Sequence, residues 1–138
     1  MANVEFQMTV NNKDEIFALL EEVEAKTLEE WGQYAEGCAM DLCPIDTGNL
    51  WNSISHIVDL DDHCVDMGTN VEYAVYVEFG TGKYAENGNG RPTPWAYRDD
   101  EGNLIWTAGQ KPQPFIRPAI ANHVDDYKDI LMDNCLNA

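Results

Sequence analysis

Apolar and small residues recur every three or four positions over the first third of the chain. The recurring positions are Ile16, Leu20, Val23, Thr27, Trp31, Tyr34, Cys38 and Leu42. Asn12 followed by Glu15 is typical of a helix start, and Pro44 ends a helix at or before the preceding residue. The spacing predicts one long helix over residues 13–43. At roughly 1.5 Å per residue it spans about 45 Å, so we expect part of it to meet a neighbouring subunit unless its two glycines bend it back.

Apolar and polar residues alternate both before and after this helix, a pattern that is typical of half-buried strands. Residues 4–10 predict a short N-terminal strand. Residues 53–59 and 63–67 flank the polar turn Leu60-Asp61-Asp62 and predict a β-hairpin. The sheet region of the fold is therefore expected within residues 53–82.

The stretch from Tyr73 to Gly82 is apolar and aromatic, and it ends in two glycines around a threonine. Its odd-numbered positions are apolar, which predicts a central strand that continues the sheet. A short helix fits the same apolar residues nearly as well. Gly80 and Gly82 can adopt positive φ without steric strain, so the chain is expected to leave this element sharply.

Residues 83–114 are rich in Gly, Asn and Pro, and the first part of this segment has neither helical nor strand periodicity. Within them, Trp95 to Tyr97 and Leu104 to Trp106 bracket a polar turn, which predicts a small hairpin. A two-stranded hairpin is only marginally stable alone. We therefore expect residues 83–114, which we call the flap, to pack against another surface.

A second helical pattern closes the chain, with apolar residues at Ile116, Ile120, Val124, Tyr127, Leu131 and Cys135. Pro118 fits only within a first helical turn, so the helix is expected over residues 115–135. The predicted architecture is a single α+β domain over residues 1–138, in which a small antiparallel sheet is packed by the long N-terminal helix and the C-terminal helix.

Charge divides the chain unequally. The net charge is -17, yet residues 83–114 hold four acids and four bases, so this segment is balanced and carries half of all the Lys and Arg. Residues 44–82 contain no Lys or Arg. The acidic balance disfavours a sequence-reading DNA-binding protein, because phosphate would be repelled. The N-terminus lacks a signal-peptide pattern, and no stretch is apolar for long enough to span a membrane, so we expect synthesis in the cytoplasm.

Candidate chemistry is sparse. The four cysteines have no Cys-x-x-Cys spacing, which favours reduced thiols over a zinc site. His56, Asp59 and His63 could ligate a metal, and a small metal-dependent hydrolase using them is an alternative function. The presence of these residues also has a local explanation, since Asp is favoured at hairpin turns, where its side chain hydrogen-bonds the backbone.

Glu78 lies within the Tyr73–Gly82 stretch, and the sequence allows two interpretations of where its side chain lies. It could point into a polar pocket or interface, where Arg117 is a suitable partner because a guanidinium can bind a carboxylate with two hydrogen bonds. It could equally be a solvated carboxylate on the outer face of a strand.

Three blocks together resemble the neck or tail-completion proteins of long-tailed bacteriophages, which are also described as tail-component or head–tail joining proteins. The blocks are Pro44 to Trp51 with Ser53-Ile54, Tyr73 to Gly82, and Gly109 to Ala119. The positions that carry the resemblance are Asp46, Thr47, Gly48, Tyr73, Ala74, Glu78, Gly80, Thr81, Gly82, Pro114, Phe115 and Pro118. We interpret them as fold-defining. Trp51, where the family often has a basic residue, and the acidic composition depart from its pattern.

The resemblance implies a structural virion protein, assembled in the host cytoplasm, that forms a homo-oligomeric ring between portal and tail and lets DNA pass without specific binding. It implies no enzyme activity and no cofactor, and its partners would be neck, portal-proximal or tail-terminator proteins. The predicted interface residues in the flap are Arg91, Trp95, Tyr97, Arg98, Trp106 and Lys111. A monomeric adaptor that binds a host protein through the flap is a further alternative.

Overall fold

The computed structural model describes residues 4–7, 12–45 and 48–138. In chain order its elements are α1 (Lys13–Leu42), α2 (Asn49–Ser53), β1 (Ser55–Asp59), β2 (Cys64–Gly68), α3 (Ala74–Phe79), a 3-10 turn (Gly82–Tyr84), β3 (Trp95–Arg98), β4 (Leu104–Thr107), α4 (Ile116–Ala121) and α5 (Val124–Leu136). β1 pairs with β2 and β3 with β4, both antiparallel. The α+β class is confirmed, with its strands arranged as two separate hairpins.

The long N-terminal helix is confirmed as α1. It ends where Pro44 requires, because Cys43 is extended and donates its N–H to the Ala39 carbonyl over 2.9 Å. The Asn12 side chain does not cap the helix and instead contacts the Glu15 carboxylate at 3.4 Å. Burial on α1 begins at Thr27, whereas residues 13–22 are all exposed. Among the described helices, none combines the length and apolar character needed to cross a membrane.

The first hairpin, β1–β2, lies across α1 and is confirmed in the predicted place. His56 pairs with Met67 in its register, and the His56 ring lies over Gly32 of α1. A Cβ at Gly32 would overlap the ring, so glycine is what allows strand and helix this close. At the turn, the Asp59 carboxylate accepts the N–H groups of Asp61 and Asp62.

The strand predicted within the stretch from Tyr73 to Gly82 is wrong, and the chain adopts the short-helix alternative as α3. Ala74 and Glu78, one helical turn apart, are the buried positions, whereas Val75 and Tyr76 are 59% and 60% exposed. Apolar alternation here reflects an apolar outer surface and not a buried face. Of the predicted strand over residues 4–10, residues 4–7 have no regular structure, and residues 8–10 lie outside the described residues.

The predicted C-terminal helix is divided in two, which corrects the single span over residues 115–135. α4 ends at Ala121, and α5 begins after His123 and continues to Leu136. The Tyr127 hydroxyl donates to the Ala119 carbonyl over 2.9 Å, so a side chain from α5 satisfies a carbonyl near the end of α4. The break lets α5 run along α1.

The core joins the end of α1 to three short helices. Its buried members are Ala39, Cys43, Leu50, Ile54, Ala74, Phe115 and Ala119. Phe115 is the largest side chain that is completely buried. α5 is held on α1 by polar contacts outside this core: Trp31 Nε1 donates to the Tyr127 carbonyl at 2.8 Å, and Asn134 Nδ2 donates to Thr27 Oγ1 at 3.1 Å.

Replacing Gly32 by alanine tests the close contact between α1 and β1. Although alanine favours a helix by up to about 1 kcal/mol, the new methyl group overlaps the His56 ring, so we expect Gly32→Ala to lower the free energy of unfolding by roughly 1–3 kcal/mol. Urea denaturation measures this. The control is Gly37→Ala on the same helix, where a Cβ meets no atom within 4 Å and should be neutral or stabilising. Equal stability of the two variants would contradict the contact.

Candidate functional site

The Glu78 carboxylate is buried and accepts four hydrogen bonds. It lies on α3, is 5% exposed and accepts the backbone N–H groups of Phe115, Ile116 and Arg117 at 2.8, 3.1 and 3.0 Å. These N–H groups begin α4, where a helix lacks internal acceptors. Glu78 therefore caps α4 from another part of the chain, and its negative charge suits the positive end of that helix.

Arg117 completes the junction around Glu78. Its Nε donates to Glu78 Oε1 at 2.8 Å, and its Nη2 donates to the Glu78 carbonyl at 3.0 Å. The same guanidinium donates to both oxygens of Glu86, at 3.0 and 3.2 Å, and lies 4.5 Å from the centre of the Phe79 ring. One side chain thus joins α3, α4 and the start of the flap. The structure therefore confirms the interpretation in which Glu78 points into a polar pocket and binds Arg117.

Ionisation of Glu78 is favoured by this surrounding. Burial by itself would raise the pKa of Glu78, but the hydrogen bonds from the Phe115 N–H, the Arg117 side chain and the neighbouring backbone outweigh burial and hold that pKa below its usual value. The group is therefore a permanent anion near neutral pH, matched by the Arg117 cation.

Both ends of the flap are clamped to each other beside this junction. The Thr81 N–H donates to the Gln110 carbonyl, and the Gln110 N–H donates to Thr81 Oγ1, both at 2.9 Å. Gly82 has a φ of 60°, and a Cβ on it would overlap the Ala108 carbonyl. The predicted glycine exit is thus a close backbone contact between the outgoing and returning chain.

The family-motif positions converge on the core and this junction. Ala74 and Phe115 are buried in the core, Tyr73 precedes α3, Pro114 precedes Phe115, and Pro118 lies in the first turn of α4. Gly48 precedes α2 with a φ of 84°. Gly80 follows α3 with a φ of 83°. Asp46 and Thr47 lie outside the described residues. Their fold-defining role stays a prediction.

The predicted interface residues lie along the second hairpin and its base. Tyr97 and Trp106 are 47% and 69% exposed, and they are on opposite faces because Trp106 pairs with Ala96. The Arg91 guanidinium lies 5.8 Å from the centre of the Trp95 ring. Arg98 donates to the Gly102 carbonyl at 3.0 Å, and the Lys111 ammonium lies 5.9 Å from the Tyr84 ring. Aromatic surface and cations therefore alternate along the flap.

His56, Asp59 and His63 are not brought together as a metal site. His56 Nδ1 and Nε2 lie 2.6 and 2.9 Å from Glu36 and Glu29 of α1, and His63 contacts Glu24 of the same helix. Asp59 closes the β1–β2 turn. Across the described residues, no group of three His, Cys, Asp or Glu side chains is arranged to hold a metal ion. The histidines instead attach the hairpin to α1.

The sequence did not predict two features of the surface. An open groove lies against α3, because Val75, Tyr76 and Phe79 face outward. The predicted strand would have placed Val75 and Phe79 on a buried face. The contact of His56 with two α1 carboxylates was also missed. The absence of Lys and Arg from residues 44–82 could have indicated it, because histidine is then the available cation on this hairpin.

One comparison with known proteins gives a match. A family model described as "Bacteriophage HK97-gp10, putative tail-component" matches residues 10–80, just over half of the 138-residue chain. No curated protein and no solved structure matches the chain significantly. The match confirms the resemblance to phage tail components over the first sequence block and most of the second, and it ends at Gly80, before the flap and Arg117.

Removing the charge of Glu78 should destabilise the fold. Glu78→Gln keeps the shape of the side chain but loses the anion that Arg117 and the three N–H groups bind, so we expect the free energy of unfolding to fall by about 2–4 kcal/mol. Urea denaturation at neutral pH measures this. The exposed Glu72 supplies the control Glu72→Gln, which should change stability by less than about 0.5 kcal/mol.

The same pair of variants tests the ionisation of Glu78. A lowered carboxyl pKa contributes stability above the ordinary value near 4.5, and that stability is lost as the pH falls through the folded-state pKa. Wild type and Glu72→Gln should therefore lose more stability on acidification than Glu78→Gln does. Parallel acid profiles for all three proteins would contradict the buried-anion interpretation.

The His56 contacts predict an opposite pH dependence. Burial alone would lower the pKa of His56, but the hydrogen bonds to Glu36 and Glu29 outweigh it and raise that pKa. The resulting stability is present below about pH 6.5 and is lost as the pH rises through the folded-state pKa. We expect His56→Gln to flatten this decline in unfolding free energy. His63→Gln, which removes an exposed pair, should retain most of it.

Proposed function

Because the chain belongs to the HK97-gp10-like family of bacteriophage tail components, we propose that it is a structural virion protein of the head–tail junction. In this proposal it assembles as a homo-oligomeric ring that completes the tail or joins it to the capsid, and it catalyses no reaction. Its further partners are other phage neck, portal-proximal or tail-terminator proteins.

The exposed aromatic surface of the single copy is the observation that supports assembly. Tyr76, Tyr97 and Trp106 are 60%, 47% and 69% exposed, on a protein that otherwise carries a large negative charge. Large aromatic side chains are enriched in the buried centres of protein interfaces, where they supply much of the binding energy. Their exposure together on the flap and α3 favours a protein partner over a solvated surface.

The acidic composition suits a ring through which DNA passes. Each phosphate contact would hold the DNA and slow its movement, whereas a net charge of -17 per subunit opposes such contacts. The bases of the flap would then contact neighbouring proteins. The chain's acidity and its aromatic flap thereby serve the two requirements of a neck protein, attachment and free passage.

Removing the second hairpin tests the proposal without disturbing the junction. Trp95 and Thr107 are paired neighbours, so residues 96–106 can be replaced by Asn-Gly, which closes a two-residue β-turn. We expect a folded protein that no longer joins tails. Native mass spectrometry of the purified protein and electron microscopy of tail tubes incubated with it give the readout.

The control for the hairpin replacement is Met132→Ala on α5, which alters a similarly exposed apolar side chain far along the chain from the flap. It should assemble and join tails like the wild type. A wild-type protein that is monomeric at every concentration and leaves tail tubes unchanged would contradict the ring and favour the adaptor alternative.

A further inference from the structure

An open apolar groove lies between α3 and the glycine-rich segment that leads into the flap. It has a volume of about 440 Å³, and its lining includes Val75, Tyr76 and Phe79 of α3 together with Arg91 and Trp95. Val75 and Tyr76 are more than half exposed in the single copy. Its exposed apolar lining suits the apolar side chains of a helix, as in helix-in-groove recognition.

One cation, Arg91, lines this groove, and two others lie near Tyr84, the residue before Ala85 in the groove lining. The Arg91 guanidinium lies beside Trp95, and the ammonium groups of Lys83 and Lys111 lie 5.0 and 5.9 Å from the Tyr84 ring. Within the described residues, none of these three cations forms an ion pair with a carboxylate of its own chain, although the protein carries far more acids than bases. The groove of this acidic protein therefore contains a guanidinium, that of Arg91, that has no carboxylate partner within the described residues.

The complementary surface is the projecting start of α1. Residues 13–22 are all exposed and carry four carboxylates against one ammonium group. Phe17 and Leu20 are 60% and 56% exposed, and Asp14 and Glu21 lie on the same face because they are three and four residues from Phe17. This face is apolar at its centre and acidic along one edge.

We propose that the first turns of α1 from one copy lie in the α3 groove of the next copy. Phe17 and Leu20 enter the groove, and the carboxylates beside Phe17 face Arg91. This inference rests on the proposed ring and names its interface. The two surfaces differ, so the contact is heterologous, and its repetition generates a closed ring when the rotation permits.

Charge decides against the two symmetric alternatives. A groove facing a second groove would bring two Arg91 guanidinium groups together, and an α1 start facing a second α1 start would bring carboxylates together. Like charges across an interface disfavour association, whereas the pairing of groove with helix brings opposite charges into contact. The same attraction would weaken as salt is added.

Complementary variants test this head-to-tail contact. The helix variant carries Phe17→Asp and Leu20→Asp, and the groove variant carries Val75→Asp and Tyr76→Asp. All four side chains are exposed, so both variants should fold, as checked by circular dichroism and thermal unfolding. Each alone should self-associate at least roughly 30-fold more weakly than wild type, the loss typical of interface hot spots.

Mixing the two variants gives the decisive measurement. The intact groove of the helix variant can bind the intact helix of the groove variant, but the resulting dimer cannot extend. Native mass spectrometry should therefore show 1:1 heterodimers in the mixture and no ring. The control Ile57→Asp, on the exposed face of β1 outside both surfaces, should retain the wild-type oligomer.

The outcomes separate the docking inference from the proposed function. Wild-type rings that persist in both variants, or a mixture without heterodimers, overturn the docking while the ring stands. A wild type that is monomeric at every concentration overturns both. If an aspartate variant fails to fold, Glu21→Lys and Arg91→Glu replace it: each alone should weaken assembly, and both in one chain should restore it. Failure of that restoration also overturns the docking.

Discussion

The buried carboxylate of Glu78 is the interaction on which the rest of the structure depends. A buried charge is costly unless it is paired and fully hydrogen-bonded, and here three backbone N–H groups and the Arg117 side chain satisfy it. The acceptor lies on α3 and the donors begin α4, so the two helices can meet in one arrangement. That arrangement places Phe115 in the core and brings the returning end of the flap beside its outgoing end.

A second constraint comes from the distribution of charge. The carboxylates of α1 that face the β1–β2 hairpin have no Lys or Arg to meet there, since residues 44–82 contain none. His56 and His63 take that role, and Gly32 lets the His56 ring approach the helix. In the proposed assembly, the cations of the flap contact neighbouring proteins. Internal packing and the proposed assembly would then use separate sets of basic groups.

The family match and the junction overlap only in part. Residues 10–80 include α1, the first hairpin and Glu78, whereas Arg117 and Phe115 lie in the unmatched remainder. The junction therefore joins the matched segment to the rest of the chain through hydrogen bonds. The surfaces proposed for assembly divide in the same way: the start of α1 and α3 belong to the matched segment, and the flap does not.

The sequence alone determined the elements whose evidence is local and repeated: α1 over thirty residues, both hairpins around their polar turns, the glycine exit and the family. Tertiary structure decided the rest. Residues 74–79 form a helix because Ala74 and Glu78 are buried together, a fact that apolar alternation cannot reveal when the exposed face is apolar as well. At the break before α5, the Tyr127 hydroxyl donates to the Ala119 carbonyl, a tertiary contact that apolar periodicity does not reveal. Glu78 could have been a solvated carboxylate until the fold brought the first turn of α4, 37 to 39 residues away, within hydrogen-bonding distance.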